Sequence, residues 1–476
     1  MADLPPAEES RSLRLTELVL PLGVGAVLRL LLVVSFIGTV GAGDEAQYLR
    51  LGWGWHEFEV YTGMWAPLYP GLISCLTAMF GEGAADAVRF VQIGLAVWTG
   101  VWTALMANMF GGRKAALIAA WGYALYLPLA GFTALLYSES LFLAFFVPAL
   151  YQLLRYAREG RGAAPVWRGP LAGLALGLSV LTRESTLIVI PPLMAWVALA
   201  VRPQPYEPCR ARTNLSIAPA LLFGLTAILT IMPWTIRNAH LFNRLVPVAT
   251  SANGSALIGL NAYDINYDIA DLGPSLVDAP GRLRDMIRGP EPEPWAPRKV
   301  KNAADATSYN LHDGAAFAAK HPQFFLRSRV VELIDLLSPH SYILRAIRIT
   351  DGVGAPLSNV YIRSLFSLLA VLLVPLVLLL GLGGWAFARD AGPLRSLAAN
   401  LAVCTGAVSI ISGLTRYRAP IMPMVIVLGS LYLAGCREVP SPRRRVTAAI
   451  LAVGLILAWI PSIEPTRIAL STIWGS

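Results

Sequence analysis

Charge is scarce in this sequence. Only 14% of its 476 residues are Asp, Glu, Lys or Arg, against roughly 25% in soluble domains. With 56% hydrophobic residues and a mean hydropathy of +0.58, that shortage excludes a water-soluble globular chain. It excludes a disordered one too, because so much apolar surface does not stay unfolded. Lysine is nearly missing (Lys114, Lys299, Lys301 and Lys320), so the net charge of +9 is an arginine charge. In an apolar chain such an excess reports membrane topology, not nucleic-acid binding. The four cysteines, Cys75, Cys209, Cys404 and Cys436, show no CxxC spacing, which argues against a disulfide framework and a cysteine metal site. The five histidines form no HExxH pair. Neither GxxxxGK[ST] nor a GxGxxG after a strand occurs, which argues against a nucleotide engine or a nucleotide-sugar donor site.

What is present is a series of apolar runs close to the roughly 20 residues that cross a bilayer's hydrocarbon core. They predict an all-α polytopic membrane protein with about eleven spans (range ten to thirteen): 15–40, 85–109, 115–133, 138–156, 169–182, 185–201, 214–233, 357–388, 393–413, 418–435 and 446–461. With residues 1–14 as a cytoplasmic tail, the short inner segments hold seventeen basic residues, among them Arg155, Arg158, Arg161 and Arg168. The outer ones hold five: Arg50, Arg183, Arg416, Arg418 and Arg467. The positive-inside rule favours this orientation. It predicts an N-terminal module over 15–233 with an external loop at 41–84, an external region over 234–356, and a C-terminal module over 357–476. The run 66–80 begins Pro-Leu-Tyr-Pro after Ala66 and is too short to span, so it reads as a re-entrant or interfacial helix. Short amphipathic helices are expected near 276–288 and 302–320.

The outer boundary carries the chemistry. Asp44 and Glu45 follow the first span directly, and Glu139 opens the span at 138 on the same face. Carboxylates held this close to the apolar phase mark function by default. The structural alternative is acids in the first turn of helices, favoured by the helix dipole. Arginines on this face run against the topology preference. Arg183, Arg237, Arg416 and Arg418 are therefore candidates to hold an anion, such as a lipid phosphate, which guanidinium forks match well. The alternative partners are phospholipid headgroups, or Glu184 in a salt bridge. Tyr48 and Tyr61 are candidate substrate contacts. With Trp53, Trp55, Trp65 and Tyr69 they equally suit an interfacial aromatic belt.

In the order Asp44-Glu45, APLYPGL, Ser138-Glu139, LTRESTLIVIPPL, MPWTIRN and TRYRAPIMPM, the sequence resembles the lipid-linked-sugar glycosyltransferases of the C superfamily. It is most similar to glycosyltransferase family 39 and its dolichyl-phosphate-mannose–protein mannosyltransferase-like and aminoarabinose-transferase-like members. The resemblance runs from about residue 41 to 435. It implies an integral membrane glycosyltransferase that takes its sugar from a polyprenyl-phosphate donor. Transfer would go to an acceptor hydroxyl of a lipid, glycan or protein on the outer face of a bacterial inner membrane. Asp44 or Glu45 would be the general base, and Glu139 the second acidic position. A single displacement would invert the anomeric carbon. The resemblance implies no required cofactor; a divalent cation is compatible with the acids, but no ligand cluster demands one. Past the span that begins at RYR (418–435) only the span 446–461 is expected, which leaves the acceptor open. A transporter or flippase of an anionic or lipid-linked solute is the alternative, but it would place charges near mid-membrane, where Arg29 is the clearest basic residue. A non-catalytic scaffold would have no need of Asp44.

Overall fold

The computed structural model describes residues 13–41, 44–54, 65–160, 165–201, 216–250, 315–316, 318–350, 352–409, 415–463, 466–467, 470–471 and 474. Among them there is no β-strand, only an isolated bridge between Ala388 and Arg437. The all-α expectation holds. The helices expected at 276–288 and over most of 302–320, and Tyr61, His56 and Cys209, lie outside the described residues.

The first apolar run forms α1 (Val19–Ser35). Two short helices, α2 (Asp44–Trp53) and α3 (Leu68–Phe80), follow. The second and third expected spans form α4 (Ala84–Leu125), broken at Gly112, whose φ of 63° and ψ of −165° suit glycine alone. The third span was expected to reach 133, but the helix stops at Leu125. Beyond it lie α5 (Leu127–Ala130), with proline in its first turn, and a 3-10 turn at Gly131–Thr133. Pro128 has no N–H to continue α4. Next come α6 (Glu139–Glu159), α7 (Arg168–Thr182), α8 (Ile190–Ala200) and α9 (Ile217–Phe242). The span expected at 185–201 opens as a 3-10 turn, Glu184–Val189, before Pro191 and Pro192 start α8. The rest comprises α10 (Pro322–Leu337), α11 (Tyr342–Ile349), α12 (Val360–Phe387), α13 (Gly392–Ser409), α14 (Met422–Leu433) and α15 (Pro442–Trp459).

Six described stretches are long and apolar enough to cross a membrane, and three shorter apolar helices lie beside them. One of the six, Leu68–Leu125, is three helical pieces separated at Gly81–Gly83 and at Gly112. The 13 residues of α3 rise about 20 Å, less than a bilayer core of roughly 30 Å. Its Tyr69 and Ile73 are fully buried, packed with Tyr48 and Leu49 of α2. Outward faces confirm the solvent: Ile450, Val453 and Leu457 on α15 are all more than half exposed, an arrangement suited to lipid rather than water.

Lipid supplies no hydrophobic drive between helices, so close contact depends on small residues. Gly173 and Gly177 of α7 meet α9 so closely that a Cβ at either would lie 2.4 Å from Phe223 O or 2.6 Å from Thr230 Cβ. A Cβ on Gly384 of α12 would fall 1.8 Å from Leu428 O of α14. Arg29, buried in α1, donates to Ala124 O at 3.0 Å and to Tyr123 O at 3.2 Å, closing the open carbonyls at the end of α4. These bonds give Arg29, the clearest basic residue inside a span, a structural partner set.

Candidate active site

The site is built where α2, α6, the turn after α7 and the 3-10 turn Thr415–Arg418 converge. Asp44 and Glu45 sit in the first turn of α2, where the helix dipole favours carboxylates. Arg416 Nη1 donates to Asp44 Oδ2 at 2.5 Å. Glu139, the first residue of α6, is fully buried and accepts from Arg183 Nη1 through Oε1. Its Oε2 is buried with no hydrogen-bond partner among the described residues. Glu184, adjacent in sequence to Arg183, is therefore not the carboxylate that this guanidinium pairs with in the cluster.

The two ion pairs are neighbours. The Arg183 guanidinium lies 5.5 Å from the Tyr417 ring centre and the Arg416 guanidinium 5.6 Å from the same ring, so one phenol separates them. Arg416 is also 5.6 Å from the Tyr137 ring and 5.7 Å from that of Tyr342, whose hydroxyls are hydrogen-bonded at 3.0 Å. Its Nε has no partner among the described residues. Arg416 thus holds Asp44 with one nitrogen and keeps a donor for a second anion.

Behind this cluster stands an arginine that the sequence reading passed over. Arg89, fully buried, donates to Thr39 O at 2.5 Å, to Ala134 O at 2.8 Å and to Asp86 Oδ1 at 2.6 Å, and lies 3.8 Å from Glu45 Oε2. It ties the end of the α1 loop, α4 and the segment leading to Glu139 into one frame. Burial pushes the Glu45 carboxyl above its ordinary value, against the pull of Arg89. Tyr48 hydrogen-bonds Ser138 Oγ at 3.3 Å and packs on Trp65 and Tyr69, each at 4.9 Å between ring centres. Tyr69 in turn donates to Gln92 Oε1 at 3.0 Å. These contacts position α2 against α6, and Tyr48 reaches the site as a strut between them.

A small cleft of about 30 Å³ opens beside Arg183 and Tyr417. Phe142 and Phe146 of α6, Val189, and Leu401 and Val408 of α13 line its apolar length. Ser185, Thr186 and Thr405 join Arg183 as its polar lining.

No protein-family model matches the chain, and no curated protein matches it. Solved structures do. The oligosaccharyltransferase AglB of Archaeoglobus fulgidus, in complex with an inhibitory peptide and a dolichol-phosphate, is similar at a TM-score of 0.45 and 14% identity, over 97% of this chain and 56% of that one. The chain therefore spans a little over half the length of that relative. ArnT from Cupriavidus metallidurans bound to undecaprenyl phosphate is similar at a TM-score of 0.37 and 12% identity, over 89% of this chain and 79% of that one.

Two expected anion-binding residues are occupied elsewhere. Arg418, two positions from Arg416 on the same 3-10 turn, donates to Ser338 O, and to Leu336 O at 3.4 Å and His340 O at 2.9 Å, fastening the turn between α10 and α11. Arg237, near the end of α9, donates to Asn238 Oδ1 at 3.0 Å and stacks 4.6 Å from the Trp234 ring centre. The described contacts bring neither into the Asp44 cluster. Among the described residues no group of three His, Cys, Asp or Glu could hold a metal ion.

Proposed function

We propose that the protein transfers a sugar from a polyprenyl-phosphate donor to an acceptor hydroxyl on the outer face of the membrane, with inversion at the anomeric carbon. The observation that carries this reading is the pairing of two partly buried arginine–carboxylate couples with an apolar cleft. A lipid phosphate needs that combination: guanidinium groups for the head and a greasy channel for the tail. Arg183 stands at the mouth, and Arg416 holds an uncommitted Nε beside it.

The chemistry then follows from position. A polyprenyl phosphate is already a good leaving group, so the protein mainly orients the reactants and neutralises developing charge. The Asp44 carboxylate takes the proton of the acceptor hydroxyl, whose oxygen attacks the anomeric carbon. The bond from that carbon to the phosphate oxygen breaks, and the electron pair leaves with polyprenyl phosphate, which Arg183 and Arg416 receive. Glu139 keeps the Arg183 side chain aimed at the cleft.

Binding of the product, polyprenyl phosphate, to protein in nanodiscs tests the site. Arg183→Gln should weaken it at least 10-fold, and Val408→Trp, which fills the half-buried cleft wall, should do the same. Unchanged affinity in both variants would remove the reading.

A further inference from the structure

We propose that a second cleft, between α4 and α6 at the opposite membrane boundary, binds an anionic phospholipid through its phosphate. The 21 residues of α6 rise about 30 Å, close to the thickness of a bilayer's hydrocarbon core. Glu139 begins the helix at the active site and Glu159 ends it, so the residues around Glu159 lie at the far headgroup level.

Three arginines gather there around one carboxylate. Arg155 pairs with Glu159, and buried Arg168 reaches it twice, at 2.9 and 3.0 Å, while donating to Gln152 Oε1 at 3.1 Å. Arg158 lies 5.6 Å from the Phe110 ring centre, and no ion pair occupies it among the described residues. Among the described residues here, one acid stands among three guanidiniums, a surplus of two positive charges, with Arg155 and Arg158 lining the space and Arg168 buried behind them.

The charge rims a space of about 420 Å³. Leu105 and Met109 of α4 form its apolar side and Arg155 and Arg158 its cationic rim, with Asn108, Tyr151 and the Glu159 carboxylate, already engaged by Arg155 and Arg168, completing the lining. An anionic lipid satisfies both halves at once. A zwitterionic headgroup would bring its own cation to the arginines, and free phosphate would leave the apolar half unused. This site is independent of the transfer chemistry.

Native mass spectrometry of the full chain in detergent tests the assignment. Phosphatidylglycerol and phosphatidylcholine are titrated separately, with inorganic phosphate as competitor. Phosphatidylglycerol should bind at least 5-fold tighter than phosphatidylcholine and resist phosphate. The double variant Arg155→Gln/Arg158→Gln leaves the Arg168–Glu159 pair intact, and it should reduce the preference below 2-fold. Asn108→Trp, which fills the cleft from α4, should lower occupancy by the anionic lipid. Thermal melts and unchanged polyprenyl-phosphate binding at the outer site would show that both variants are folded. Equal affinity for the two lipids would overturn the proposal. So would an undiminished preference in the folded double variant, or displacement by inorganic phosphate at matching concentration.

Discussion

At the residue scale, the site is two acids, each held by an arginine from a distant part of the chain. Removing one partner of such a buried pair strands the other charge, which typically costs about 3–5 kcal/mol. Arg89→Ala should therefore lower stability by that order, read from thermal melts, since it unties Asp86 and Glu45 together. Arg416→Lys keeps a charge beside Asp44 but loses the planar fork, and it should slow turnover about 10-fold or more with little change in melting temperature. Glu45 gives a pH signature. Its folded value is raised above the ordinary 4.5, so the native state holds the proton more tightly than the unfolded chain. Its contribution to stability is complete below that pH and is lost as pH rises through the folded value. Glu45→Gln should flatten this decline, measured as the difference in melting temperature between the two proteins from pH 4 to 7. A parallel pH profile would contradict the assignment.

The residues that were legible from sequence share a property: a charge at an apolar boundary, where it is expensive. Asp44, Glu139, Arg183 and Arg416 all show it. The pairing was not legible. Glu184 lies next to Arg183 in the chain, while Glu139 reaches it only through the packing of α6 on α7. Arg418 resembles Arg416 in sequence, yet on a 3-10 turn of three residues per turn, positions two apart point in different directions. Arg89 passed as an ordinary charge at the start of a span. Its one local signal is Asp86 three residues earlier, an i,i+3 pair just after a Gly-Glu-Gly turn.

At the scale of elements, helix packing sets the geometry of the site. The turn bearing Arg416 leads directly into α14, and α14 lies against α12 at Gly384. Any side chain there meets the backbone of Leu428, which cannot rotate away. Gly384→Leu should push α14 outward, cost roughly 1–3 kcal/mol as overpacking does, and draw Arg416 off Asp44. Thermal melts and donor turnover would both fall. Full turnover would show that the Asp44–Arg416 pair does not depend on this contact. Helix identity was readable from apolar runs of membrane length. Helix ends were set by single residues inside those runs: Gly112 breaks α4, Pro128 ends it, and Pro191 with Pro192 delays α8.

At the scale of the whole molecule, the account needs the Asp44 cluster and the Arg155–Arg168 cluster on opposite sides of one bilayer, with the former outside. In right-side-out vesicles of a variant lacking the natural cysteines, a membrane-impermeant maleimide should label Glu82→Cys and spare Arg443→Cys. The reverse pattern would invert the topology and place transfer on the inner face. The charge count alone supports the orientation, and its parity requires that α3 not cross the bilayer.

The most direct test is release of polyprenyl phosphate by purified protein in lipid, across a panel of polyprenyl-phosphate sugars with acceptor present. The account predicts release from at least one donor, reduced by about 10²–10⁴-fold in folded Asp44→Asn, the range expected for loss of a general base. Turnover by Asp44→Asn equal to wild type would contradict the central claim, and so would the absence of release from every donor by well-folded wild-type protein.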